Sequence, residues 1–174
     1  ILMRITFPGA TGDRLVGRLE LPAFGIRAWA LFAHCFTCSK NLRAATNISR
    51  SLTEAGFAVL RFDFTGLGQS DGEFADTSFS SNLADLLAAT RFLDTEYEAP
   101  ALLLGHSLGG TAVLQAAHSI PSAVAVATAK GFGFALRLVD LLDLGRLRLF
   151  NNPLFLAFGF VDFRVAYTFR CQNH

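Results

Sequence analysis

The chain has 174 residues, 52% of them hydrophobic and 17% charged, with a formal net charge of +1. That length fits one domain, the apolar share excludes disorder, and the balanced charge leaves no basic footprint for nucleic acid. With no run near the roughly 18 apolar residues of a membrane span, no secretory pattern and only three cysteines, a cytoplasmic protein without membrane partners is expected.

Residues 5–7 and 15–21 predict an opening antiparallel pair around the turn Pro8-Gly9-Ala10-Thr11-Gly12. Ala28–Ala33 is a continuous apolar run between polar residues, the pattern of a strand buried on both faces. Ala45, Ile48, Leu52 and Ala55, three and four apart, predict a helix stopped by Gly56. Residues 57–62 read as a second buried strand. Leu83, Leu86, Leu87, Thr90, Leu93 and Tyr97 then mark an amphipathic helix that ends before Pro100. Residues 101–104, 108–118 and 123–128 continue as strand, helix and strand. Short buried strands joined by crossover helices predict an α/β fold, a mostly parallel sheet with helices on both faces.

The composition then changes. Residues 131–174 hold 8 of the 18 phenylalanines with 5 Arg and 3 Asp, but neither Glu nor Lys. The chain thus divides into a core over 1–130 and a divergent Phe/Leu/Arg-rich tail over 131–174. The tail is not an independent domain, and the fold is expected to be incomplete at its C-terminal end. Arg137, Asp140 and Asp143 predict a polar stripe on one helix over about 132–144.

Gly105-His106-Ser107-Leu108-Gly109-Gly110 carries the sharpest chemical signal. It contains G-x-S-x-G directly after one predicted strand and directly before a predicted helix. Small flanking residues let the chain turn sharply there and hold the Ser107 hydroxyl outward as a nucleophile. The helix beginning at Leu108 aims free N–H groups and its positive dipole end at any oxyanion formed. The loop after Ala33, His34-Cys35-Phe36-Thr37-Cys38, supplies a second donor in such a site, so the oxyanion hole is assigned to the backbone N–H groups of Phe36 and Leu108. Cys35-x-x-Cys38 also has the spacing of a thiol-redox pair, which makes a redox protein the alternative reading. No second cysteine or histidine pair completes four zinc ligands, and no metal is expected. Gly66-x-Gly68 lacks the third glycine and the immediate helix of a dinucleotide site, so the segment 63–72 reads as a structural loop at the rim.

With these segments placed, the chain resembles the α/β-hydrolase superfamily. Residues 33–40, 61–68 and 105–110 look most like bacterial α/β-hydrolases fused to an OsmC-like thiol peroxidase domain, over about residues 3–128. The resemblance implies Ser107 as nucleophile, a small-molecule ester or amide substrate, and no cofactor. Cys35 stands where the wider superfamily has glycine. The chain carries no OsmC-like segment, so peroxide reduction is not expected of it.

The resemblance also implies the chain order Ser…Asp…His for the remaining partners. His106 adjoins the nucleophile, and its side chain leaves the turn in another direction. His118 lies about 16 Å along the helix that starts there. His34 is assigned to holding the oxyanion loop. His174 is left as base, with Asp162 as its orienting acid, on a chain end that is poorly suited to holding a base in place. A serine hydrolase without a positioned base, a non-catalytic fragment of one, is therefore a further expectation.

Overall fold

The computed structural model describes residues 1–35, 43–130 and 133–138, with side chains at 1–35 and 45–128. The hairpin β1 (Leu2–Pro8) and β2 (Arg14–Glu20) opens the chain, followed by β3 (Ala28–Ala33) and α1 (Arg43–Glu54). Next come β4 (Phe57–Asp63), α2 (Phe79–Glu96), β5 (Leu102–His106), α3 (Leu108–Ala116), β6 (Ala125–Lys130) and β7 (Gly133–Leu138). The seven strands form one sheet in the order β1-β2-β4-β3-β5-β6-β7. Its centre, β4-β3-β5-β6, is parallel, and β2 and β7 flank it antiparallel.

Strand alternation sorts the apolar side chains onto the two faces of this sheet. Leu31, Leu60, Phe62, Leu103 and Val126 pack with Leu86, Ala89 and Leu93 of α2 and Ala112, Val113 and Ala116 of α3. Ala30, Phe32, Val59, Leu102, Leu104 and Ala127 pack with Ala45 and Leu52 of α1 on the other face. Helices therefore cover both faces, and the parallel strands are buried on both sides as their unbroken apolar runs require.

Local chemistry sets the boundaries. Gly56, at φ +93°, ends the turn after α1 in a conformation that a side chain resists. The Ser81 N–H donates to Ser78 Oγ (3.1 Å) and the Ser78 N–H donates to Ser81 Oγ (2.8 Å). This reciprocal cap starts α2 at Phe79, one turn before the apolar spacing becomes legible. Buried charges are partnered as well. Arg61 donates to Glu20 and, at 3.0 Å, to Thr46.

One expectation is overturned. Residues 133–138 are not helical but form a strand antiparallel to β6, with Gly133 opposite Lys130 and Leu138 opposite Ala125. Phe134, Leu136 and Leu138 alternate with Ala135 and Arg137, and this period of two outweighs the three-residue spacing of Arg137 and Asp140. Asp140 and Asp143 lie outside the described residues.

Candidate active site

Ser107 occupies the single residue between β5 and α3, at φ 54° and ψ −117°. Among the described residues it is the one non-glycine with positive φ. Such a conformation costs on the order of 1–3 kcal/mol and persists only where the surroundings impose it. The glycines around it provide that constraint. A Cβ on Gly105 would lie 2.3 Å from the Gly109 carbonyl oxygen and 2.5 Å from Gly110 Cα, so α3 presses directly on the end of β5. A Cβ on Gly109 would lie 2.4 Å from the Ala33 carbonyl oxygen, which brings the same turn against the end of β3. Gly110 approaches Thr128 on β6.

The result is an exposed serine at the carboxyl edge of the parallel strands. Its hydroxyl makes no capping bond to the helix behind it. The Gly110 and Thr111 N–H groups donate to the Ser107 carbonyl oxygen at 2.9 and 3.3 Å, so the first turn of α3 begins at the serine itself. Leu108, whose N–H is the candidate oxyanion donor, keeps its side chain 37% exposed beside the serine.

At the neighbouring strand ends sit His34 and Asp63, both wholly buried. His34 Nε2 lies 3.6 Å from Asp63 Oδ1, and its Nδ1 lies 2.5 Å from the Cys35 carbonyl oxygen. The ring also meets Phe64 edge-on at 5.3 Å between centroids. Asp63 accepts from the Gln69 N–H at 3.0 Å. Residues 63–72, expected as a structural loop, begin with the last residue of β4, and the Asp63 carboxylate there is not among the expected site residues. Its signal is an acid closing a buried strand, one step beyond the pairing of Ala33 with Phe62.

The structure thus brings Gly105, His106, Ser107, Leu108 and Gly109 together with His34 and Cys35. His118 falls in the 3-10 turn that follows α3, at the far end from Ser107. Phe36, Cys38, Asp162 and His174 lie outside the described residues. Among the described residues no group of three or more His, Cys, Asp or Glu could hold a metal ion, and no helix is long and apolar enough to cross a membrane.

A parallel-centred sheet with a strained serine between a strand and a helix is the arrangement of the α/β serine hydrolases. Residues 30–144 match the family described as serine aminopeptidase, S33, and the chain belongs to that serine hydrolase family. It is similar to the rat (Rattus norvegicus) palmitoyl-protein thioesterase ABHD10, mitochondrial, with 34% identity over 62% of this chain and 37% of the relative. The mouse (Mus musculus) counterpart is 33% identical over 71% of this chain and 38% of its own. Among solved structures, the esterase domain from a Rhodothermus marinus protein is 56% identical, with a TM-score of 0.61 over 74% of this chain and 49% of that one. The chain spans well under half the length of the curated relatives it matches.

Proposed function

We propose that this chain hydrolyses esters or thioesters through an acyl-enzyme on Ser107. The observation that carries the reading is the strained backbone of Ser107, which holds an exposed hydroxyl at the start of α3. In the reaction, Ser107 Oγ attacks the acyl carbonyl, loses its proton to a base, and forms an ester as the alcohol or thiol leaves. Water then cleaves that ester and regenerates the hydroxyl. The Leu108 and Phe36 N–H groups receive the negative charge on the carbonyl oxygen, and each such donor is worth about 10²–10³ in turnover. His174 as base and Asp162 as its acid complete the chain order. The palmitoyl thioesters named for the ABHD10 relatives make a long-chain acyl thioester the first substrate to try.

Intact-mass measurement after incubation with a fluorophosphonate tests the reading, with Ser107→Ala as control. A single adduct on the wild type, absent from the variant, supports an activated serine. A folded wild type that stays unlabelled overturns it and leaves a hydrolase fold without a working base.

Thiol redox chemistry is a second reading, favoured by one observation: Cys35 is disulfide-bonded. Against it, Cys35 is only 6% exposed, whereas reactive thiols sit in accessible, electropositive surroundings. Rapid alkylation after mild reduction would favour it over the hydrolase.

A further inference from the structure

We propose that the chain carries a second binding site, remote from Ser107, for a carboxylate that bears an apolar chain. The proposal does not depend on the hydrolase reading.

A row of arginines prepares the site. Arg4 of β1 stands directly opposite Arg18 of β2, and Arg18 directly opposite Arg61 of β4. Side chains at opposed positions share one face of the sheet, here the face on which α1 packs, and like charges so placed repel. Arg61 is buried and held by Glu20, with Thr46 of α1 at 3.0 Å. The guanidinium groups of Arg4 and Arg18 have no such relief, for among the described residues neither meets a carboxylate. On α1, Arg50 donates to Asn47 Oδ1 at 2.7 Å and meets no acid either, although Glu54 follows one turn later.

The row borders a cavity. Leu2 and Glu20 are paired and lie next on the same face, towards the amino-terminal ends of the parallel strands. With Leu21 and Ala23 they face Arg50, Thr53 and Glu54 of α1 across about 310 Å³. That volume is at the lower end of the range for small-molecule sites. Its walls are unevenly charged. Glu20 is neutralised by Arg61, and Glu54 stands at the last residue of α1. Arg50 and the Arg4–Arg18 pair therefore bias the inner end towards anions, while Leu2, Leu21 and Ala23 present carbon. Phe24 and Ile26, which follow in the chain, are exposed as well.

A ligand with an anionic head and a carbon chain uses both halves. Its carboxylate accepts paired N–H bonds from guanidinium groups, and its chain removes the leucines and Ala23 from water. Inorganic phosphate would use the arginines alone, and an amine would face three cations. The site is separate from the nucleophile. Glu20 pairs with Val59 near the start of β4, whereas Ser107 follows the carboxyl end of β5.

The test titrates decanoate, below its micelle concentration, into the ¹⁵N-labelled full chain. Saturable amide shifts should centre on Leu2, Leu21, Ala23 and Thr53. Decanol and acetate, each carrying half of the ligand, should bind about tenfold more weakly or worse. Arg18→Gln and Arg50→Gln should each weaken decanoate about tenfold, the scale of one hydrogen bond to a charged group. Neither side chain is buried, so both variants should fold. Absence of saturable shifts would overturn the proposal, as would unchanged affinity in both variants or equal binding of decanol or decylamine. Shifts centred on residues 105–109 would place the ligand at the nucleophile and overturn it too. A Ser107 that takes up no fluorophosphonate would sink the hydrolase reading and leave this site standing.

Discussion

Gly109, in the first turn of α3, rests on the carbonyl oxygen of Ala33 at the end of β3, 2.4 Å from where a Cβ would stand. This contact joins the nucleophile's turn to the base of the oxyanion loop through backbone atoms alone. Neither partner can yield as a flexible side chain would. Gly109→Ala should therefore cost about 1–3 kcal/mol, the usual range for overpacking, read by urea denaturation. It should also slow fluorophosphonate attachment more than the lost stability explains, because the turn and the loop are pushed apart.

Ser107 poses the reverse case. Its φ of 54° is a conformation that glycine adopts freely, and the strain is relieved when the Cβ is removed. Ser107→Gly should raise the unfolding free energy by about 1 kcal/mol, whereas Ser107→Ala should leave the strain in place. Equal stability of the two variants in denaturant would show that the turn is unstrained.

Most of the framework was legible in the sequence because its signals are local. The unbroken apolar run Ala28–Ala33 could only be a strand buried on both faces, and the structure has those bounds. The glycines around Ser107 announced a tight turn before any neighbour was known. Asp63 and Asp85 were missed for the opposite reason. Asp85 accepts from backbone groups 75 and 20 residues away, and Asp63 meets the side chain of His34 on the neighbouring strand, so no spacing in the chain encodes those meetings. Where a helix is expected over about 132–144, two periods overlap, and over residues 133–138 the period of two prevails.

Asp85 ties α2 to two turns at once, accepting the Ala10 N–H at 3.2 Å and the Thr65 N–H at 3.0 Å. Removing this buried acceptor leaves the Thr65 N–H unpaired away from water and frees the Ala10 N–H at the surface. Asp85→Ala should destabilise by about 3 kcal/mol, with Asp85→Asn less harmful because one acceptor oxygen remains. Thermal unfolding of the two variants side by side checks the order.

The exposed pair of Arg14 and Asp71 offers a pH-dependent test. The hydrogen bond from Arg14 holds the Asp71 carboxyl below its usual range. A carboxylate whose pKa is lowered by folding contributes stability above its unfolded pKa, and that contribution is lost as pH falls through the folded value. Asp71→Asn should therefore be slightly less stable than wild type at neutral pH, and the two curves should converge in acid. Being at the surface, the pair should also lose its contribution in high salt.

The antiparallel course of β7 has a geometric consequence for catalysis. Each crossover in the centre of the sheet returns the chain so that the next strand ends on the rim where Ser107 lies. The hairpin from β6 to β7 reverses that delivery, since Leu138 finishes beside Ala125, at the opposite rim. Whatever follows Leu138 sets out about 17 Å from the level of the nucleophile, at roughly 3.3 Å per residue along β6. An extended chain recovers that distance in about five or six residues. A base supplied from beyond Leu138 is thus constrained by reach as well as by its place in the order of the chain.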